Sequence, residues 1–158
     1  MKRLIAVSAV SFLLLLTMAL DGSAIGPPIT KEELILGSQD VIHGMVTEVR
    51  SEWDESHSWI YTYAMLKVID VFKGEPSAEV VIQIPGGTVG DTTLDVEDAP
   101  QLKEGMEVII HTFLQKNGNL AVRGSDEGVY IINNEVVEEL NMTLVQFKNL
   151  VDELIEQK

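Results

Sequence analysis

Cysteine is absent from this chain of 158 residues. That excludes a disulfide-stapled fold, a thiol nucleophile and any cysteine-ligated zinc or iron–sulfur centre. Cations are scarce as well: 11 Lys and Arg stand against 25 Asp and Glu, a formal net charge of −14. So acidic a chain repels phosphate backbones and anionic lipid surfaces, which sets nucleic acid aside as a partner. Histidine occurs three times, as His43, His57 and His111, and never in the close i, i+2 to i+4 pairs from which zinc sites are usually built. A G-x-S-x-G elbow, a P-loop lysine and the D-x-D-x-D-G spacing of a calcium loop are also missing. Aromatic residues make up only 6% of the chain, yet both tryptophans, Trp53 and Trp59, fall in one short stretch.

One long uncharged run is present. Leu4 to Leu20 follows Met1-Lys2-Arg3 and precedes Asp21-Gly22-Ser23-Ala24. A basic start, an apolar stretch and small residues before a cut form the layout of a signal peptide, residues 1–24, with cleavage expected after Ala24. As a helix the run rises about 25 Å, short of a ~30 Å hydrocarbon core, and no basic stop-transfer cluster follows. The expected location is secreted or extracytoplasmic, with membrane contact only through this segment if it stays uncleaved. Without residues 1–24 the formal charge moves from −14 to −15, because Lys2, Arg3 and Asp21 leave. Mean hydropathy falls from +0.15 to about −0.1, ordinary for a soluble domain. About 134 residues remain, enough for one domain held by core packing alone.

Residues 25–38 read as a linker, opened by Gly26-Pro27-Pro28, and a short helix with Thr30 as N-cap, Glu33 as its reciprocal partner and Gly37 at the end. Residues 39–137 read as β. Alternation from Asp40 to Val49 predicts a first strand bent at Gly44, Ser51 to Ser58 a loop, and Trp59 to Phe72 a long strand stopped by Lys73-Gly74-Glu75-Pro76. Glu79 to Ile84 completes a meander, and Thr88 to Pro100 is a polar, acidic connection with a weak strand at Thr92 to Val96. Pro85-Gly86-Gly87-Thr88-Val89-Gly90 is expected to be a tight turn or bulge at the rim. Glu107 to Leu114 is a continuous apolar strand, and Asn117-Gly118 turns it into Leu120 to Arg123. Val129 to Ile132 follows, with Asn133-Asn134 as a turn toward Glu135 to Val137. Residues 142–157 form an amphipathic helix capped by Thr143 and Gln146, with Leu144, Phe147, Leu150, Val151, Leu154 and Ile155 as the stripe that packs on the barrel. The expected fold is mainly β: a small OB-like Greek-key barrel of five to seven antiparallel strands with a short N-terminal helix and a C-terminal amphipathic helix.

The runs Asp40-Val41-Ile42-His43-Gly44-Met45-Val46, Tyr61-Thr62-Tyr63 and Val71-Phe72-Lys73-Gly74, followed by Pro85-Gly86-Gly87-Thr88-Val89-Gly90 and Gly105-Met106-Glu107-Val108, resemble a group of exported bacterial and archaeal domains of unknown function. The pattern covers about residues 40–132. More distantly, the strand order is similar to the OB-type barrel of netrin-like domains and tissue inhibitors of metalloproteinases. Those inhibitors chelate zinc through an N-terminal cysteine that this chain lacks, so the resemblance implies a fold and not that mechanism.

Trp53, Trp59, Tyr61 and Tyr63 are the candidate binding surface, since rigid aromatic faces bind carbohydrate or protein at low entropy cost. His43 and His111, with Asp91 and Asp95 of the acidic connection, are the weak metal candidates. Asn141-Met142-Thr143 is a glycosylation sequon. No catalytic residue and no cofactor is assigned. The leading expectation is an exported, non-enzymatic binding module with a protein or carbohydrate partner. One alternative is a metal-dependent hydrolase built on His43, His111 and the acidic loop. Another, by fold analogy only, is a protease-associated inhibitor or chaperone.

Overall fold

A computed structural model describes residues 29–157. The expected signal segment, its expected cut after Ala24 and Gly26-Pro27-Pro28 lie outside the described residues.

The chain enters through helix α1 (Lys31–Gly37), where Thr30 and Glu33 close a capping box. Strand β1 (Asp40–Trp53) follows, then β2 (Ile60–Lys73) and β3 (Glu79–Pro85), in the expected antiparallel meander. A short hairpin of β4 (Gly87–Val89) and β5 (Thr92–Leu94) comes next. Then come β6 (Glu107–Leu114), β7 (Leu120–Val122), β8 (Val129–Asn133), β9 (Val136–Val137), β10 (Met142–Thr143) and helix α2 (Leu144–Glu156). The fold is mainly β, with a closed five-stranded barrel and two α-helices among the described residues. The ring runs β1-β2-β3-β7-β6 and returns to β1.

Five strands form the ring, within the expected five to seven; β8, β9 and β10 continue the sheet past β6, and β4 and β5 form a separate hairpin. Two expectations need correction. The barrel strands are not all antiparallel: β3 meets β7 in parallel at Ile82 and Leu120, the pairing that closes the barrel. Residues 51–53 belong to β1 rather than to a loop. Past Met45, where its pairing with β6 ends, β1 pairs with β2 alone, and its polar residues find partners there, as Ser51 Oγ does with Thr62 Oγ1 at 2.9 Å. A strand end paired on one side carries polar residues without apolar alternation, so composition alone reads it as loop.

Strand alternation creates two separate cores. Inside the ring, Ile42, Val46, Ala64, Leu66, Ile82, Val108 and Ile110 interdigitate. On the outer face of β1, β6 and β8, Val41, Ile109, Tyr130 and Ile132 meet Leu34 and Ile35 of α1 and Phe147 and Val151 of α2. The first half of β1 is therefore buried on both faces. Its register shifts three times against β2, one of them beside Gly44, where a Cβ would press on the Lys67 carbonyl. The strand bends there to follow the barrel.

Thr143 and Gln146 cap α2 as expected, and Leu144, Phe147, Leu150, Val151 and Leu154 pack inward. Ile155, in the last turn, instead stays 41% exposed. At the other end of the fold, the Lys73 ammonium donates to the carbonyls of Ile35, Leu36 and Ser38 at 2.8, 2.9 and 2.6 Å, so a cation closes the C-terminus of α1. Gly74 follows at φ 89°, and a Cβ there would run into the Asp40 carboxylate. The Lys-Gly pair that ends β2 thus ties α1 to the barrel.

Candidate functional site

Helices α1 and α2 cover the outer face at the first half of β1, β6, β8 and the end of β2, and no helix among the described residues covers the outer face formed by the second half of β1, the first half of β2 and β3. The turn between β1 and β2 is organised by Asp54. Its carboxylate accepts from Ser58 N at 2.7 Å, Trp59 N at 3.0 Å and Ser56 Oγ at 2.6 Å. These donors, Ser56 foremost, hold the Asp54 carboxyl below its usual range. Asp54 N donates to Trp59 O at 2.7 Å, so the ladder reaches one step past β2.

The register then sorts the four aromatic candidates. Trp53 stands opposite Ile60, while Tyr61 stands opposite Glu52 and Tyr63 opposite Arg50. Alternation places Trp59, Tyr61 and Tyr63 on the outer face and Trp53 on the other, where its ring stacks on His57 at 6.3 Å. Trp59 is 41% exposed, and Tyr61 and Tyr63 are half-buried. Three of the four candidates therefore share a surface, and the fourth does not.

Polar groups complete that surface. Arg50 lies 5.5 Å over the Tyr63 ring and pairs with Glu48 and Glu52. On the other flank Gln83 donates from Nε2 to the Tyr63 hydroxyl at 3.1 Å, and its Oε1 accepts from Asn117 Nδ2 at 3.3 Å and Asn119 Nδ2 at 3.2 Å. This network runs from β1 to the β6–β7 turn. Beside it a cleft of about 240 Å³ opens between Gln83, Pro85 and Phe113 on the sheet and Glu97 and Asp98 of the acidic connection. The network escaped sequence reading; its one signal is a glutamine inside the apolar run of β3.

The histidine candidates do not come together on a shared partner. His43, on β1, is buried, and its Nε2 lies 2.8 Å from Glu107 Oε1. His111, on β6, is fully buried, with Nδ1 3.0 Å from the Gly128 carbonyl and its ring edge-on to Tyr130 and Phe147. Desolvation lowers the His111 pKa to about 4 and pushes Tyr130 up to about 12. Asp91 and Asp95 are exposed at the β4–β5 hairpin. Among the described residues no group of three or more His, Cys, Asp or Glu side chains is placed to hold a metal ion. Asn141 is exposed at φ 49°, and Thr143 of the same sequon accepts from Gln146 N as the α2 cap.

A second cleft, of about 410 Å³, lies between the covered and open sides. His43, Asp70 and Phe72 form its floor, and Leu144, Val145 and Lys148 of α2 form one wall. Lys148 Nζ meets Asp70 Oδ2 at 2.7 Å, and that hydrogen bond is the main reason the Asp70 carboxyl sits below its usual range.

No protein-family model matches the chain, and no curated protein matches it either.

Proposed function

We propose that the chain is an exported, non-enzymatic binding module with an OB-like Greek-key barrel, and that its open outer face takes a neutral glycan. The observation that carries the reading is the row Trp59, Tyr61, Tyr63 beside the Gln83–Asn117–Asn119 amide network. Aromatic faces stack on the apolar faces of sugar rings, while amides and carboxylates bond to hydroxyls. The ring order β1-β2-β3-β7-β6, with one parallel pair, supports the OB-like assignment. In such barrels the second and third strands and the flanking turns are the usual ligand face. The net charge of −14 favours a neutral ligand over a polyanion. Export rests on the expected signal segment. No particular observation favours the metal-dependent or inhibitor readings.

Glycan-array binding and titration of the best hit test the proposal. Trp59→Ala and Tyr61→Ala each weaken binding about tenfold or more, since a stacking platform contributes roughly 1–3 kcal/mol. Trp53→Ala, on the opposite face, leaves affinity within about twofold. Unchanged binding in both outer-face variants, or a signal from protein partners alone, would overturn the glycan assignment.

A further inference from the structure

We propose that the cleft between β2 and the first two turns of α2 is a second binding site, one that takes a small zwitterion with an apolar body: an apolar amino acid or dipeptide. Its volume of about 410 Å³ lies within the range of small-molecule sites. The walls are apolar, built from Ile69, Phe72, Leu144 and Val145, and the two at the mouth, Ile69 and Val145, are 52% and 70% exposed.

The polar groups fall into two poles. Lys148 is held by Asp70 and lies 5.7 Å from the centre of the Phe72 ring, so its position is fixed while two of its three donors stay available. Asp70 itself is satisfied, by Lys148 and by Val71 N at 2.9 Å. Glu135 lines the cleft and has no hydrogen bond or ion pair through its carboxylate among the described residues. His43 lies on the floor of the cleft, with its Nε2 2.8 Å from Glu107 Oε1.

The carboxylate of Glu135 suits an ammonium, and the spare donors of Lys148 suit a carboxylate. A simple acid would meet Glu135 with no ammonium to offset it, and a simple amine would leave the spare donors of Lys148 unused. A molecule carrying both charges answers both poles, with its side chain against Phe72 and Leu144.

The test is thermal shift and calorimetric titration of the purified protein with leucine, leucyl-leucine, 4-methylpentanoate and isoamylamine. At least one zwitterion binds, leucine or leucyl-leucine defining which size fits, and each singly charged analogue binds about tenfold more weakly or worse. Glu135→Gln and Lys148→Met each weaken the zwitterion about tenfold. Both side chains are partly exposed, so the unliganded variants melt close to the parent and remain valid tests of binding. Trp59→Ala leaves this affinity unchanged, which separates the site from the glycan face. Absence of binding by both zwitterions, equal binding by the singly charged analogues, or undiminished binding in both cleft variants overturns the proposal.

Discussion

Acidification acts on the core between barrel and helices through one residue. His111 is fully buried under α2, and its Nε2 has no hydrogen-bond partner. Desolvation is the main cause of its depressed pKa, with the nearby Lys73 charge adding to it, and the Gly128 carbonyl opposes both in part. The unfolded chain takes up this proton at the ordinary histidine value of 6.5, the folded chain only near 4. A folded state that holds its proton more weakly is fully stable above the unfolded value and loses stability as the pH falls through the window between the two. The whole gap corresponds to about 3 kcal/mol, of which about 2 kcal/mol is lost by about pH 5. Against a stability of roughly 5–15 kcal/mol, a loss of that size is plain in denaturant melts. The carboxylates that gain partners, Asp54, Asp70 and Glu33, have lowered values, so their own losses set in only below about pH 5, after most of the fall due to His111. With an m-value of about 2 kcal/mol/M, the urea midpoint of the parent falls by about 1 M between about pH 7.5 and 5. His111→Leu starts less stable, because the Gly128 carbonyl loses its partner, but its midpoint is nearly flat over that range. The imidazole itself, followed by NMR, stays neutral down to about pH 5. A variant whose midpoint falls as far as the parent's would refute the reasoning.

Lys73→Met removes the ammonium shared by three α1 carbonyls and costs about 2 kcal/mol by urea titration, with faster amide exchange at the end of α1 as the local signature. Gly74→Ala, at φ 89° and against the Asp40 carboxylate, costs about 1–3 kcal/mol in the same assay, more than a substitution in open space. Thr143→Ala loses the bond to Gln146 N and costs about 1 kcal/mol, while Thr143→Ser retains most of it.

How much of this was legible depended on the range of the interactions. Thr30 with Glu33 and Thr143 with Gln146 are three-residue signals, and both close as capping boxes. The β1-β2-β3 meander joins neighbours in sequence and was legible for the same reason. The ring closure pairs Ile82 with Leu120 across a connection that contains its own hairpin, and no local pattern announces it. Of the candidate site, the aromatic cluster was visible but its division between two faces was not. A one-residue change in register moves every side chain to the other face, and the polar stretch around Ser51 hid how far β1 extends. The second cleft draws His43, Asp70, Glu135 and Lys148 from four separate segments, so only the folded chain brings them together.

The two sides of the barrel carry different residue chemistry, and the difference bears on function. Under the helices, outward positions of β1, β6 and β8 include Val41, Ile109, His111, Tyr130 and Ile132, which the docked helices bury. On the open side, outward positions of β1 to β3 include Arg50, Tyr61, Tyr63 and Gln83 beside Met65 and Val81, with Arg50 over the Tyr63 ring and Gln83 donating to its hydroxyl. Covering that face with a third helix would strip water from Arg50 and the Tyr63 hydroxyl, a cost that new partners would have to offset. Amphipathic rings backed by fixed amides instead suit a ligand that is itself half apolar and half hydroxyl. The same reasoning predicts that Gln83→Leu, which leaves the Tyr63 hydroxyl and both asparagine amides without their partner, weakens glycan binding through loss of ring position while the circular-dichroism spectrum stays that of the parent. Full retention of affinity in that variant would show that the amide network serves the turn alone.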